Sequence, residues 1–287
     1  MKLLVFGKSG QVGRELSLHP FTVSLGREDA DLTDPVKCAE IIAQTDADAV
    51  INAAAYTLVD KAEAEEPLAQ TINSDAPTAM AMATAARNIP FVHISTDYVF
   101  DGSKEGEWLT DDETNPLNAY GRTKLAGEYG VQNAGGVYGI LRTSWVFSAH
   151  GANFVKSMLR LSQDRTELNI VGDQIGGPTC AKDIADTCIA MAKSLVNSPD
   201  KSGLYHYSGY PNVSWAEFAN EVFRQSGRDV AVSKIPSTSY PTPAIRPLNS
   251  TLDCRGLHQS FGIEQPNWRE SLKSVLQELE ALKNEKT

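Results

Sequence analysis

The chain has 287 residues, of which 41% are hydrophobic and 22% are charged, as in globular proteins rather than disordered ones. Its formal net charge of −10 disfavours non-specific nucleic-acid binding, and no apolar run approaches the roughly 20 residues that cross a bilayer. The N-terminus shows no signal-peptide pattern, and the four cysteines lack CxxC spacing, which argues against disulfides and a zinc site. We therefore expect a cytoplasmic protein without nucleic-acid or membrane partners.

The first predicted element is a short apolar strand, residues 2–6, followed by a glycine-rich turn and a helix. Gly7, Gly10 and Gly13 have the spacing GxxGxxG rather than the usual GxGxxG. Glycines in such a turn allow the backbone to approach a pyrophosphate, and the helix N-terminus offers free N–H groups. The position directly after the first strand favours a dinucleotide site over a plain strand–turn–helix.

A second strand is predicted over residues 21–25 and ends next to Arg27. An acidic residue near this point often binds the ribose of NAD, whereas an arginine can bind the 2′-phosphate of NADP. The alternative for Arg27 is a solvated surface side chain. Asp31 and Leu32 could flank an adenine, and a helix over 34–44 tolerates proline in its first turn.

Small residues follow the third predicted strand, 49–52, and would let a flat cofactor lie against the backbone. This segment comprises Ala53, Ala54, Ala55, Tyr56 and Thr57. Val59 follows in a loop, where its side chain could line a substrate site. Asn73 precedes a predicted helix over 75–87, and we interpret it as a polar group that tethers the loop.

The fourth predicted strand, 91–97, ends in the hydroxyl and carboxylate side chains of Ser95, Thr96 and Asp97. Ligands bind at the carboxyl ends of strands in open parallel sheets, so Ser95 or Thr96 could hydrogen-bond a carbonyl oxygen. His93 lies upstream within the strand, and we interpret it as structural rather than catalytic.

Tyr120 and Lys124 are four residues apart at the start of a predicted helix and therefore share one face. A cation beside a tyrosine favours the phenolate and makes the side chain a usable proton shuttle. YxxxK alone is a common surface pattern. Its combination with the hydroxyls that end the fourth strand predicts a site for carbonyl chemistry.

The alternation of strands and helices predicts an α/β fold, with a Rossmann-type doubly wound parallel sheet and a smaller C-terminal α/β substrate domain. The predicted dinucleotide-binding domain comprises residues 1–147 and 179–200. The predicted substrate-binding domain comprises residues 148–178 and 201–287. Ser214 and Glu217 predict a capping box, and the last helix is expected over 266–282.

Several motifs resemble the extended short-chain dehydrogenase/reductase superfamily: Gly7-x-x-Gly10-x-x-Gly13, Asn52-Ala-Ala-Ala-Tyr56, Ser95-Thr-Asp-Tyr-Val-Phe100 and Tyr120-x-x-x-Lys124. Further motifs are similar to the dTDP-4-dehydrorhamnose reductase family, namely Tyr56–Glu63, Arg142–Phe147, Gly172–Thr179 and Arg246–Asp253. The resemblance implies reduction of the C4 keto group of dTDP-4-dehydro-6-deoxy-L-mannose to dTDP-L-rhamnose by NADPH or NADH.

The resemblance also implies roles for single residues. Tyr120 would protonate the C4 oxygen, Lys124 would tune it and bind the nicotinamide ribose, and Thr96 would polarise the carbonyl. The expected cofactor contacts are Gly7, Gly10, Gln11, Val12, Gly13, Arg27, Asp31, Leu32, Ala53, Ala54, Ala55, Tyr56, Thr57, Asn73, Tyr120 and Lys124. The expected substrate contacts are Val59, Thr96, Asp97, Trp145, Asn153 and Arg246. Trp145 would stack on the sugar or be a core tryptophan, and Arg246 would pair with the diphosphate.

Alternatives remain open at this point. Another nucleotide-sugar reductase or epimerase of the superfamily fits most of these motifs, as does a non-catalytic subunit resembling the regulatory subunit of methionine adenosyltransferase. Arg27 favours NADPH over NADH as the cofactor. A homodimer is compatible with the sequence. Some family members bind Mg²⁺ through glutamates at a subunit contact, but Glu278 and Glu280 equally fit a solvated helix face. We assign no metal ligands.

Overall fold

The computed structural model describes residues 1–284 and is built around a six-stranded sheet. Within these residues, no helix combines the length and apolar character needed to cross a membrane. The strands in chain order are β1 (Leu3–Phe6), β2 (Thr22–Leu25), β3 (Ala49–Asn52), β4 (Phe91–Thr96), β5 (Tyr138–Thr143), β6 (Val146–Phe147), β7 (Glu167–Val171), β8 (Ile175–Gly176), β9 (Thr179–Cys180), β10 (Gly203–His206), β11 (Val213–Ser214), β12 (Ala231–Ile235) and β13 (Asn249–Ser250). The helices are α1 (Gln11–Ser17), α2 (Pro35–Gln44), α3 (Val59–Ala62), α4 (Glu66–Gln70), α5 (Ala76–Ala86), α6 (Ala119–Asn133), α7 (Phe154–Leu161), α8 (Ala181–Asn197), α9 (Trp215–Gln225), α10 (Arg255–Phe261) and α11 (Trp268–Asn284).

The main sheet is parallel throughout, in the order β10-β5-β4-β3-β1-β2. Its strands are short and almost entirely apolar because helices cover both faces. In β1, Leu3 and Val5 face the cluster that contains α1 and α8, whereas Leu4 and Phe6 face the cluster that contains α2 and α5. This alternation follows from the two-residue period of a strand. The predicted doubly wound α/β fold is confirmed.

The sixth strand corrects one predicted domain boundary. β10 pairs in parallel with β5, with Gly203 opposite Gly139 and His206 opposite Arg142. After β5 the chain returns through α8, which covers one face of the sheet and delivers β10 to its open edge. Residues 203–206, which the sequence analysis assigned to the substrate domain, therefore belong to the Rossmann sheet.

The smaller unit has a separate apolar core between short β-sheets and three helices. Phe147, Phe218 and Trp268 are fully buried in this core, against α7, α9 and α11. The predicted capping box is present, since the Ser214 hydroxyl accepts from the Glu217 N–H at 3.2 Å and the Glu217 carboxylate accepts from the Ser214 N–H at 2.8 Å. Strand β12 was not predicted, because most of its side chains are exposed and give little apolar alternation.

A buried ion pair anchors α6 to the sheet. Both oxygens of Glu128 accept from the Arg142 guanidinium, at 2.9 and 2.7 Å, and the Ser95 hydroxyl also donates to Glu128. The ionic side chains are 4% and 1% exposed. Such bidentate geometry satisfies charges that would otherwise be costly to bury. The pair joins α6 to β4 and β5 and thus fixes the helix that carries Tyr120 and Lys124.

We predict that Glu128→Ala lowers the free energy of unfolding by about 3–5 kcal/mol, because it leaves the Arg142 charge buried without its partner. The control is Glu66→Ala, which breaks the exposed pair with Arg122 and should cost about 1 kcal/mol or less. Urea denaturation of the three proteins measures both values. Equal losses in the two variants would contradict a structural role for the buried pair.

Candidate active site

The turn between β1 and α1 is shaped by its first and third glycines. Gly7 has φ of 102°, and a Cβ there would lie 2.7 Å from the Ala54 nitrogen. A Cβ on Gly13 would lie 1.9 Å from the Gly7 carbonyl oxygen. At Gly10, which precedes α1, the nearest atom to such a Cβ is 3.4 Å away. The outer glycines therefore pack the turn, whereas a side chain at Gly10 would make only an ordinary contact beside the helix N-terminus.

The loop after β3 is held by two asparagines. The Asn52 side-chain oxygen accepts from the Ala54 N–H at 3.1 Å. Asn73 is fully buried, and its amide accepts from the Tyr56 N–H at 2.8 Å and donates to the Tyr56 carbonyl at 3.2 Å. The tethering role that the sequence analysis gave Asn73 is confirmed. The loop of small residues, 53–55, thus lies beside the glycine turn, with Gly7 in contact with Ala54.

We call the region between the glycine turn, 7–13, and the loop 53–57 the cleft, and Arg27 and Asp31 follow the edge strand β2 at its outer end. The Arg27 guanidinium donates to Asp31 at 3.1 Å, and the two side chains are 72% and 39% exposed. A hydrogen bond from the Thr33 N–H and the contact with Arg27 lower the pKa of Asp31. Leu32 is buried in the core beside α2, so its side chain packs inside the domain instead of lining the cleft. Both charged groups remain accessible to an adenosine moiety.

Thr96 and Asp97 end β4 and begin a short helical turn. The Thr96 oxygen accepts from the Tyr98 N–H at 3.1 Å, and its hydroxyl donates to Asp97 at 3.1 Å. Burial raises the pKa of Asp97 to about 7, although hydrogen bonds with Ser250 and Thr96 act in the opposite direction. Asp97 is therefore a buried carboxyl that gains or loses its proton near neutral pH.

Helix α6 brings Tyr120 to the same strand ends. The helix begins with Asn118 as N-cap, whose side chain accepts from the Gly121 N–H at 2.8 Å. A Cβ on Gly121 would lie 2.2 Å from the Tyr98 carbonyl oxygen, so glycine allows the helix to approach the turn that follows β4. The rings of Tyr98 and Tyr120 meet edge to face at 5.7 Å between centroids.

The electrostatics of Tyr120 favour its protonated form. Burial raises the pKa of Tyr120 to about 12, the hydrogen bond with Thr96 lowers it, and the Asp97 charge raises it. The phenol thus keeps its proton at neutral pH and is linked to Thr96. Such a pair can polarise a carbonyl and donate a proton to it.

Lys124 lies one helical turn after Tyr120 and is almost completely buried, at 1% exposure. Its ammonium nitrogen lies 2.6 Å from the Ile94 carbonyl oxygen, to which it donates, and 3.2 Å from Nε2 of His93. Burial lowers the pKa of Lys124 to about 8, and the Glu128 charge opposes this effect. The three predicted catalytic residues are therefore together at the carboxyl end of β4.

On the substrate side, Arg246 is paired with Asp60 across the two units. The guanidinium donates to the two carboxylate oxygens at 3.1 and 2.9 Å, and this contact lowers the pKa of Asp60. Val59 and Asp60 begin α3, beside the loop that follows β3. Trp145 has φ of 48° and stacks on Trp215, with ring centroids 3.5 Å apart. The partner of the Trp145 ring is thus another tryptophan.

Asn153, which we expected to contact the substrate, is hydrogen-bonded to several groups of the protein itself. It caps α7, and its side-chain nitrogen donates to Gln11 at 2.9 Å and to the carbonyls of Ser148 and His150. The Ser148 hydroxyl also donates to Gln11, at 2.8 Å. The substrate contact of Asn153 stays a prediction, and in the free protein its amide orients Gln11 next to the glycine turn.

A group of ionisable side chains lies apart from these residues, at the contact of α1 with α11. Potential ligand atoms of Glu15, His150 and Glu278 all lie within 4.8 Å of one another. Burial raises the pKa of Glu15, while His150 lowers it. Paired carboxylates and an imidazole are common on protein surfaces, and this geometry does not assign an ion to them.

Two polar residues at the centre of the site were not identified as functional from sequence. Asn52 and His93 lie in adjacent strands and form a buried hydrogen bond, with Asn52 Nδ2 3.1 Å from Nδ1 of the imidazole. His93 also contacts Lys124. A sequence signal was available, because both are polar residues in strands that are otherwise apolar.

Comparison with known proteins gives a consistent picture. The family model of the RmlD substrate binding domain matches residues 1–281. The dTDP-4-dehydrorhamnose reductase of Sinorhizobium fredii is 43% identical, over 96% of this chain and 97% of that protein. Among solved structures, dTDP-4-dehydrorhamnose reductase from Clostridium acetobutylicum has a TM-score of 0.91 and 36% identity, covering 98% of this chain and 100% of that one. The enzyme from Bacillus anthracis in complex with NADP has a TM-score of 0.89 and 32% identity, with coverage of 97% and 100%.

The raised pKa of Asp97 leads to a prediction about stability. The folded state holds this proton more tightly than the unfolded chain, so the contribution is complete below the ordinary pKa of 3.8 and is lost as the pH rises through about 7. Relative to Asp97→Asn, the wild-type protein should therefore lose about 1.4 kcal/mol of free energy of unfolding on going from pH 6 to pH 9, because about one pH unit of this window lies below the folded pKa. Urea denaturation at both pH values tests this. A constant difference would show that Asp97 ionises normally.

Proposed function

This chain belongs to the RmlD substrate binding domain family, and on that premise we propose that it reduces the C4 keto group of dTDP-4-dehydrorhamnose to dTDP-L-rhamnose with NADPH or NADH. This is the last step of dTDP-rhamnose biosynthesis. The observation that carries the proposal is the meeting of Thr96, Tyr120 and Lys124 at the carboxyl end of β4, beside the glycine turn.

The residues of the cleft fit a dinucleotide. The helix N-terminus beside Gly10 suits the pyrophosphate, and Gln11, oriented by Asn153, would fix its position. The loop 53–57 would support the middle of the cofactor, and Arg27 and Asp31 would meet the adenosine end. When bound, the nicotinamide supplies the hydride. The protein supplies position and electrostatics.

The protein's own contribution to the reduction is a proton at a fixed place. The Thr96 hydroxyl, which donates to Asp97 in the free protein, would turn its hydrogen to the C4 oxygen, and Tyr120 would transfer its phenolic proton to the same oxygen as the alkoxide forms. Because Tyr120 is protonated at neutral pH, it begins the cycle in the form that a proton donor requires. The charge of Lys124 would stabilise the phenolate that remains.

The smaller unit, residues 148–178 with the chain beyond β10, would bind the nucleotide sugar. Arg246 can bind a diphosphate bidentately, and in doing so it would exchange the Asp60 carboxylate for phosphate oxygens. Trp145, fixed against Trp215 and half-buried, would contact the sugar with the exposed part of its ring. The substrate would therefore be held between the two units, with its C4 oxygen at Tyr120.

We predict that Tyr120→Phe lowers turnover by a factor of roughly a thousand or more, because it removes the proton donor. The affinity for NADPH should remain close to wild type. The measurement is the loss of NADPH absorbance with a 4-keto-6-deoxy sugar nucleotide, generated by the upstream dehydratase and 3,5-epimerase. The consumption of NADPH should require the epimerase.

The matched control is Tyr129→Phe, which makes the same change at an exposed position of the same helix and should leave turnover unchanged. An active Tyr120→Phe would refute the assigned proton donor. Cofactor binding without any NADPH consumption by the wild-type protein would instead favour another sugar substrate or a regulatory subunit.

A second prediction concerns the diphosphate. Arg246→Met should raise the KM for the nucleotide sugar by roughly tenfold or more, because a bidentate charged contact contributes about 1.5–3 kcal/mol. The affinity for NADPH should not change. Arg224→Met, which removes an exposed arginine paired with Glu221, is the control and should leave the KM as it is. A normal KM in Arg246→Met would place the diphosphate elsewhere.

A further inference from the structure

His93 is a fully buried histidine whose two ring nitrogens both meet polar partners. In the register of β3 and β4 it lies opposite Asn52. Nδ1 lies 3.1 Å from Nδ2 of Asn52, and Nε2 lies 3.2 Å from Nζ of Lys124. The three side chains form a line from the loop after β3 to the base of Tyr120. The proposed reaction assigns no role to Asn52 or His93.

The orientation of Asn52 decides which nitrogen of His93 carries the hydrogen. The Asn52 oxygen is occupied by the Ala54 N–H at 3.1 Å, so its amino group faces His93. An amide nitrogen only donates, and Nδ1 must therefore accept. Burial holds the pKa of His93 well below its usual range, so the ring is neutral. The remaining hydrogen is then on Nε2.

This assignment has a consequence for Lys124. The N–H at Nε2 points at Nζ, and an ammonium offers only hydrogens in return, whereas a neutral amine has a lone pair that can accept. Nζ still donates to the Ile94 carbonyl in either form. We propose that Asn52 and His93 are positioning residues that present an N–H to Lys124 and so favour its neutral amine in the cofactor-free protein.

The other charged groups around Lys124 do not reverse this preference. Glu128, one turn later in α6, favours the ammonium, but its carboxylate is engaged by Arg142 and Ser95. Tyr120, one turn earlier, keeps its proton and is neutral, and the charge of Asp97 acts on Tyr120. Burial of Lys124 acts in the same direction as the His93 hydrogen, since both disfavour the charged form.

If the chain has the proposed function, a neutral Lys124 in the free protein has a consequence for cofactor binding. Above a pH of about 8, Lys124 would take up a proton from solvent as the dinucleotide binds, because the ribose hydroxyls and phosphates favour an ammonium. In that pH range the charge that stabilises the Tyr120 phenolate would be present mainly in the complex, and the free protein would keep Tyr120 unactivated.

The tautomer is measured directly by ¹⁵N NMR of the imidazole nitrogens in the free, full-length protein. His93→Gln identifies the signals of His93 among those of the five histidines. We expect a protonated Nε2 and an unprotonated Nδ1 in the wild-type protein. In Asn52→Asp the carboxylate can only accept, so the hydrogen should move to Nδ1. A wild-type protein with its hydrogen on Nδ1 would overturn the proposal.

The ionisation of Lys124 is followed in the same spectra through the pH dependence of the Nε2 shift. In Asn52→Asp, Nε2 accepts from the ammonium, and the midpoint should rise by about one pH unit or more. Lys124→Met should abolish the titration. An unchanged midpoint in Asn52→Asp would mean that the asparagine only supports the fold, and would also overturn the proposal.

Calorimetry of NADPH binding in buffers with different ionisation enthalpies gives a second readout, which does not depend on the folding of Asn52→Asp. Above the wild-type midpoint, binding to the wild-type protein should take up about one proton more than binding to Lys124→Met. Equal uptake would contradict the inference. Because none of these measurements uses the sugar nucleotide, their failure is distinguishable from failure of the reductase reaction.

Discussion

The burial of the Lys124 amine is the constraint on which the site depends. A cation that loses its hydration is stable only where fixed dipoles and counter-charges replace the water. Here the Ile94 carbonyl accepts a hydrogen bond, His93 occupies the adjacent space, and Glu128 lies one turn away in an ion pair with Arg142. Each of these groups belongs to the central sheet or to α6. The position of Tyr120 is thus set by the same contacts that make a buried lysine tolerable.

The two units are joined by polar contacts that converge on this helix. The Asn118 side chain caps α6 with its oxygen and donates to the Ile245 carbonyl with its nitrogen, at 2.8 Å in each case. Arg246, the next residue, reaches Asp60 at the start of α3. One segment of the smaller unit therefore contacts both the helix that carries Tyr120 and the short helix α3, which follows the loop 53–57. A ligand that displaces Asp60 from Arg246 would change a contact between the units as well as a local charge.

The sequence was informative where a function requires a residue type at a fixed local spacing. The glycine turn, the hydroxyl of Thr96 and the Tyr120–Lys124 pair were all identified in this way, and the alternation of strands and helices predicted the fold. The sequence did not indicate the contacts between distant segments. Asn153 and Gln11 are 142 residues apart, and nothing in either local sequence indicates their hydrogen bond. His93 has the burial expected of a core residue, and only the register of β3 and β4 shows that both its nitrogens are in use. Similarly, the sequence of β10 indicates only a strand, and its place in the main sheet follows from its pairing with β5.

The high pKa of Tyr120 in the free protein is compatible with its role, because the reaction is a reduction. The group to be protonated is an alkoxide, which is about as basic as hydroxide, whose conjugate acid has a pKa of about 15.7. A phenol with a pKa of about 12 still transfers its proton to such a base downhill. What the phenol requires is that its own anion be stabilised afterwards, which is the part that a charged Lys124 can supply. A lysine whose ammonium is favoured by the bound cofactor would thus be charged when the phenolate forms, also at a pH above about 8, where the amine predominates in the free protein.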